Sequence, residues 1–265
     1  MAASSDSVEK ITGALEESLS GLGFEVHPLK VGWYNAVLPP SLALSYPDDT
    51  LAVVVFSTPS MFEKAFLPFL EGQAFQGVSD PIDQCVRQTV SSAVFQCFPG
   101  QQVEVIYDYE LMPSRRPRFL AQTAAHVSGG AFYYQQSDII EPPWTDRKMF
   151  GVCVHPRFGG WFAIRALLVF ADVRGGSDML QPLPVDCVPS REGRIKLLEA
   201  FNLHWQDWSY RDIVPPVETY SQRQRDYFSC PPSERFALLR SWGFLQRKEG
   251  ADQTAETQIT LNGHG

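Results

Sequence analysis

Val8, Ile11, Leu15 and Leu19 recur every three or four residues with charges between them, and Gly21 and Gly23 interrupt the pattern. This spacing predicts an amphipathic helix over residues 6–20. Leu51 to Phe56 is an unbroken apolar run rich in β-branched residues, as in a strand buried on both faces. Ser57-Thr58-Pro59 follows, a capping signal with proline in the first turn, and Met61, Phe62, Ala65, Phe66 and Phe69 then fall at helical spacing. The strand therefore leads straight into a helix. Asp80-Pro81 opens another helix, which runs to about Phe98 and stops at Pro99-Gly100.

Residues 102–110 alternate. Val103, Val105, Tyr107 and Tyr109 share one face and Glu104, Ile106, Asp108 and Glu110 the other, which predicts a strand with one side toward solvent or a ligand. After the loop 113–117, residues 118–135 read as a helix rich in small side chains. Residues 151–155 and 160–170 read as two strands of a hairpin that turns at Pro156-Arg157-Phe158-Gly159-Gly160. Further helices are predicted at 190–204, around 220–228 and at 233–242. Residues 246–265 are polar and read as a disordered tail, which leaves 1–245 as one α+β domain without repeat or linker.

Composition narrows the function. With 265 residues, 44% of them apolar and only 20% charged, the chain is globular and long enough for a sizeable core. A net charge of −8 removes any chain-wide attraction to nucleic acid or to anionic membrane, so an anionic ligand needs a local cluster of Arg or Lys. The longest apolar stretches, Leu51 to Phe56 and Trp161 to Ala171 (the latter interrupted by Arg165), fall short of the ~20 residues that cross a bilayer. Met1 to Ser7 lacks the basic flank and apolar stretch of a signal peptide. Five cysteines without a Cys-x-x-Cys pair fit reduced cytoplasmic thiols better than a disulfide framework or a zinc ribbon.

Two features stand out chemically. Gly129 and Gly130 sit inside the predicted helix 118–135, at a cost of roughly 1 kcal/mol each, so something should compensate. Phe119, Gln122, His126, Gly129 or Gly130, and Tyr133 line one face of that helix, which suits either close backbone packing or a flat ligand lying across it. Arg165 lies within a run of apolar residues, and strand parity groups it with Trp161, Ala163 and Leu167 while Ile164 points the other way. A buried guanidinium needs an anionic partner, either a protein carboxylate, which is the commoner case, or an anionic ligand. Arg211 and Arg235 are candidates to join it. Cys153 and His155 share a strand face, but no further metal ligand occurs at a recognised spacing, and no Walker, Gly-x-Ser-x-Gly or Gly-x-Gly-x-x-Gly motif is present.

Several longer segments carry a resemblance. Val31-Gly32-Trp33-Tyr34-Asn35, Leu38-Pro39-Pro40, Asp80-Pro81-Ile82-Asp83-Gln84-Cys85, Arg115-Arg116-Pro117 and Leu120-Ala121-Gln122-Thr123-Ala124-Ala125-His126-Val127 are five of them. The stretch from Gly151 through His155-Pro156-Arg157-Phe158-Gly159-Gly160-Trp161-Phe162-Ala163-Ile164-Arg165, and His204-Trp205-Gln206-Asp207-Trp208-Ser209-Tyr210-Arg211-Asp212, complete the set. Together they resemble the cytosolic vitamin B12 processing proteins of the cblC type, from about Leu15 to Leu239.

The resemblance implies an α+β, nitroreductase-like (flavin reductase-like) fold with a mixed sheet flanked by helices. It implies binding of cobalamin with its benzimidazole base off cobalt, followed by removal of the upper ligand. Alkyl groups leave by attack of glutathione thiolate, and cyanide leaves reductively with electrons from thiol or from reduced flavin (FMN or FAD). Cobalamin contacts fall on Asp108, Phe119, Leu120, Ala121, Gln122, Tyr133, Tyr134, Gln135, Cys153 and Ile164. Glutathione contacts fall on Arg165, Arg211 and Arg235, with Arg165 positioning and activating the thiol. Phe119 departs from the aliphatic residue of the family, and the long proline-rich tail of the mammalian form is missing.

His126 and Gly129 supply part of the Asp-x-His-x-x-Gly pattern by which some enzymes offer a histidine to cobalt. Ala124 stands at the Asp position, so His126 reads as a hydrogen-bonded pocket or core histidine. The implied partners are a downstream cblD-type adaptor, methionine synthase and its reductase, with the chain a monomer or a ligand-induced homodimer. Two other readings compete, a flavin-dependent oxidoreductase of NAD(P)H that ignores cobalamin and a cobalamin carrier without catalysis.

Overall fold

The computed structural model describes residues 5–72 and 80–244, so the tail expected at 246–265 lies outside the described residues. In chain order the principal elements are α1 (Ser5–Leu19), β1 (Phe24–Lys30), α2 (Val31–Asn35), β2 (Thr50–Ser57), a π-turn at Phe62–Phe66 running into α3 (Leu67–Gly72), α4 (Pro81–Cys97) and β3 (Val103–Tyr107). They continue with α5 (Ala121–Val127), β4 (Phe132–Tyr134), β5 (Val152–Val154), β6 (Ala163–Arg174), α6 (Arg191–Leu203), α7 (Gln222–Ser229) and α8 (Arg235–Ser241). A four-stranded antiparallel sheet in the order β1-β2-β6-β3 forms the centre, and β4 and β5 pair antiparallel in a small second sheet. The architecture is α+β.

Both faces of the central sheet are covered, which is why β2 is apolar without alternation. Leu51, Val53 and Val55 pack with α1 and α4, and Ala52, Val54 and Phe56 pack on the opposite side with Tyr34 and the α5 residues Ala124 and Ala125. The strand predicted at 102–110 forms β3, with Tyr107 buried on the α4 side and Ile106 on the other, while Val103, Glu104 and Val105 are half-buried and Asp108 and Tyr109 beyond its end are exposed. Tyr134, Val152 and Val154 of the small sheet join Leu197 and Leu198 of α6 in a third cluster. Asp80 caps α4 as predicted, accepting a 3.2 Å bond from the Ile82 amide.

Three expectations are corrected. The helix predicted at 118–135 covers only Ala121–Val127, because Gly129 adopts φ 76° and turns the chain, so that Tyr133 and Tyr134 lie on β4. Gly130 is excluded from bearing a side chain by Phe56 and His27, whose atoms would lie within 3 Å of a Cβ. The hairpin at 151–170 is not one, since β5 pairs with β4 and β6 with β2 and β3, and only the bridge between His155 and Gly159 closes the turn.

The third correction concerns Arg165. Val55 pairs with Ala166 but Phe56 pairs with Ile164, so Arg165 is the extra residue of a β-bulge. Parity inverts across it. Ile164 therefore shares a face with Leu167, while Arg165 reaches Ser57, which continues the row of Val53 and Val55 on the α4 side.

Candidate functional site

The Arg165 side chain is only 7% exposed, and its Nε donates a 2.8 Å hydrogen bond to the Ser57 hydroxyl. Ser57 thus serves this guanidinium instead of capping the following helix. Among the described residues no carboxylate forms an ion pair with Arg165, and its two terminal nitrogens make no hydrogen bond. They border a cavity of about 670 Å³ that Arg211 and Arg235 also line.

Arg211 is held from several sides. One terminal nitrogen donates to the Gly160 carbonyl, and the guanidinium lies 4.8–5.5 Å from the ring centres of Trp208, Tyr210, Tyr220 and Trp161. Its Nε is a buried donor without an acceptor. Trp208 sits at φ 65° and stacks on Trp161 at 5.6 Å, and its carbonyl accepts the Arg211 amide. Gly159 (φ 58°) and Gly160 let this segment approach, since a Cβ on Gly159 would lie 2.3 Å from the Arg211 carbonyl oxygen. The glycine pair of the turn at 156–160 thus serves the arginine.

Arg235 reaches the cavity from the start of α8 while bonded through a terminal nitrogen to Asp80, the capping residue of α4. Tyr227 donates a 2.7 Å bond to the other oxygen of the same carboxylate. One turn further along α4, burial raises Asp83 to about 6, assisted by the charges of Asp80 and Asp108 and opposed by Arg165 and Arg235. Asp108 is also raised, by desolvation, with Arg165 pulling it back down. Its backbone amide donates to the Arg165 carbonyl at 3.0 Å.

The residues nominated for a flat ligand gather on the other side of Ile164. Phe119, Leu120, Ala121, Tyr133, Cys153 and Ile164 belong to one apolar cluster with Phe162, which also borders the arginine cavity. Phe119 and Cys153 are buried, Leu120, Ala121, Tyr133 and Ile164 are half-buried, and Asp108, Gln122 and Gln135 are exposed around them. The result is an accessible apolar face with polar groups at its rim. Leu120 is fixed by its amide, which donates to the Tyr34 hydroxyl at 2.7 Å. The Cys153 thiol contacts the Gln122 carbonyl at 3.7 Å, and burial raises its pKa far above the ordinary thiol value, so it stays protonated.

Two nominated residues lie differently from their neighbours. The Tyr134 side chain turns into the third core cluster, where its hydroxyl donates to Asp186 at 2.7 Å and accepts from the Val188 amide, so only its backbone stays near Tyr133. The His126 Nδ1 accepts the Tyr133 amide at 3.1 Å, and burial lowers the pKa of the ring. A neutral ring that accepts at Nδ1 carries its proton on Nε2. His126 is therefore tied to the turn after α5.

A cluster the sequence did not reveal joins β1 to the turn at 155–159. Glu25, His27 and His155 place their ligand-type atoms within 4.8 Å of one another. The His155 Nδ1 accepts the amides of Arg157 and Phe158, so Nε2 carries the proton and donates to Glu25 at 2.9 Å. With both nitrogens committed, the cluster is a hydrogen-bonded tie. Burial alone would raise the Glu25 pKa, but the hydrogen bond from His155 and the His27 ring 3.6 Å away bring it down to about 2. Cys153 belongs to the same apolar cluster as the rings of Phe56 and Phe162 on which His155 packs, as expected of a shared face, and its thiol contacts the Gln122 carbonyl rather than joining Glu25.

Comparison with known proteins follows the same lines. The model of the methylmalonic aciduria and homocystinuria type C family matches residues 23–239. A zebrafish (Danio rerio) protein named cyanocobalamin reductase / alkylcobalamin dealkylase is 61% identical over 245 residues, 92% of this chain and 98% of its own length. The human protein of the same name is 49% identical over 232 residues, covering 88% and 82%. The crystal structure of a Caenorhabditis elegans B12-trafficking protein, CblC, superposes with a TM-score of 0.81 at 32% identity, covering 90% of this chain and 97% of that one.

Proposed function

Because the chain belongs to the methylmalonic aciduria and homocystinuria type C family, we propose that it is a cobalamin-processing enzyme, a cyanocobalamin reductase and alkylcobalamin dealkylase like the relatives it matches. The observation that carries the finer reading is the sidedness at Ile164 and Arg165. One residue faces an apolar cluster whose outer members are half-buried, and the next faces a cavity lined by three arginines.

On this reading the corrin lies over Leu120, Ala121 and Tyr133, with its amide groups toward Asp108, Gln122 and Gln135 as hydrogen-bond partners. Glutathione occupies the cavity, its two carboxylates matched to Arg165, Arg211 and Arg235. Guanidinium groups beside the thiol raise its thiolate fraction. The thiolate attacks the cobalt-bound carbon, a sulfur–carbon bond forms, and the cobalt–carbon bond breaks with its electron pair left on cobalt. A thioether and cob(I)alamin result. Phe162 borders both the apolar face and the arginine cavity, and holding thiol and alkyl group together where the two adjoin makes the displacement effectively unimolecular, with no protein side chain needed as nucleophile. Binding with the benzimidazole off cobalt stabilises the departing cob(I) state.

Decyanation needs electrons from thiol or reduced flavin. The same arginine set can hold a flavin phosphate, and flavin is read as an exchangeable donor. Further parts of the reading rest on family resemblance. They are the nitroreductase-like classification of the α+β fold, a domain spanning 1–245, a cytoplasmic location and hand-over of cobalamin to an adaptor. No helix among the described residues is long and apolar enough to cross a membrane.

Stopped-flow absorbance of methylcobalamin with the purified chain tests the proposal. Expected are a shift to the base-off spectrum on mixing and conversion to cob(I)alamin or its oxidation product only when glutathione is added. An unchanged spectrum on mixing overturns the reading, and a base-off shift without glutathione-dependent conversion reduces the protein to a carrier.

A further inference from the structure

Cys230 ends α7 and is the cysteine that lines the arginine cavity. Its carbonyl accepts a 3.3 Å hydrogen bond from the Nε of Arg235, whose terminal nitrogen is pinned by Asp80. The backbone of Cys230 is therefore tied to an anchored guanidinium that lines the same cavity. It is free of any disulfide, only half-buried, and its contact with the Pro231 carbonyl is a long 3.7 Å. The cavity calls for an anion independently of this cysteine. Arg165, more than nine-tenths buried, turns two unpartnered terminal nitrogens toward it, and the Nε of Arg211 is a buried donor with no acceptor.

An anionic molecule that carries sulfur and docks on these arginines thus meets a protein thiol in the same cavity. We infer that Cys230 is a thiol–disulfide exchange site, captured as a mixed disulfide by glutathione disulfide seated on the arginines, and that the adduct fills the cavity and stops thiol-dependent turnover. The inference rests on the glutathione reading above. In the exchange the Cys230 thiolate attacks one sulfur of glutathione disulfide, the sulfur–sulfur bond of that molecule breaks, and a Cys230–glutathionyl disulfide forms. The departing glutathione thiolate takes up the proton that Cys230 released. Glutathione disulfide is the only oxidant, and excess free thiol reverses the step. Desolvation and Glu234 push the Cys230 thiol up while Arg235 opposes them, so the exchange accelerates as pH rises.

The test uses the full-length chain incubated with glutathione disulfide or with neutral 2-hydroxyethyl disulfide, followed by intact mass and peptide mapping. Expected is a single glutathionyl group on Cys230, formed about tenfold faster than the hydroxyethyl adduct, with the preference abolished in Arg211→Ala. The modified protein should lose about tenfold or more of its glutathione-dependent dealkylation and regain it with dithiothreitol. In Cys230→Ser the same treatment should leave the ratio of treated to untreated activity near one. No adduct on Cys230, equal rates with both disulfides, or full activity of the modified protein would each overturn the inference. If the untreated chain fails to dealkylate with glutathione, the proposed function falls by itself, and the mass and rate comparison still decides the exchange site.

Discussion

The Ser57 hydroxyl accepts the Nε proton of Arg165 at 2.8 Å, which leaves the outer edge of that guanidinium, with its two terminal nitrogens, turned to the cavity. A short neutral residue at the end of one strand thus orients a buried charge on the next without neutralising it.

Arg165→Ala is expected to keep the base-off shift of methylcobalamin, since the apolar face lies across the strand, and to lose glutathione-dependent dealkylation by about 30- to 200-fold, as for a lost charge-assisted pair of about 2–3 kcal/mol. Arg165→Lys restores charge but not the planar fork and should recover only part of the rate. Stopped-flow absorbance at saturating cobalamin, with glutathione varied, reads both. A simultaneous loss of the base-off shift would contradict the separation of the two faces.

Gly159→Ala should disturb Arg211 from a distance. The new Cβ would meet the Arg211 carbonyl at 2.3 Å in a backbone with φ 58°, so the segment has to move. The left-handed backbone alone costs about 1–2 kcal/mol. Denaturant unfolding should register at least that loss, and the apparent KM for glutathione should rise while cobalamin affinity stays within about twofold.

Glu25 predicts an acid limit. Its folded pKa of about 2 lies below its ordinary value of 4.5, so its contribution to stability is complete above about pH 4.5 and disappears as pH falls toward 2. The contribution is at most about 3 kcal/mol. In Glu25→Gln the melting temperature between pH 2 and pH 5 should vary less than in the parent chain, and equal slopes would count against the tie between β1 and the turn at 155–159.

Asp83 has the opposite sign. Its folded pKa of about 6 lies above the ordinary 3.8, so the folded chain binds the extra proton, and the stability this gives is present below about pH 4 and lost as pH rises through 6. Asp83→Asn removes the like-charge repulsion from Asp80 and Asp108. Its melting temperature at pH 7–8 should exceed that of the parent chain, and the difference should vanish near pH 4.

Much of the fold is legible in sequence because the burial is two-sided and the caps are explicit. β2 reads as a buried strand, and Asp80 caps α4 where Asp80-Pro81 predicts it. β1 escapes notice because Pro28 and Lys30 break its pattern, a composition tolerated at the edge of the sheet where it lies. The helix at 118–135 is overextended because small residues continue past Gly129, whereas backbone conformation stops it there. Arg165 stands out by composition, but its side of the sheet is set by a one-residue slip in pairing with β2, which no local pattern encodes. Cys230 and Trp208 become relevant only when α7 and the 205–212 segment close over the cavity.

That slip governs how the chain can tolerate length changes. Deleting residue 165 alone would restore uninterrupted alternation from Ala163 to Phe170 and leave Ile164 opposite Phe56 on the apolar face, yet it would strip the charge from the cavity in one stroke. The spacing of the strand, more than the identity of any one apolar residue along it, therefore keeps Ile164 at the apolar face and Arg165 at the cavity, and Phe162, which borders both, marks where the two compartments open onto each other.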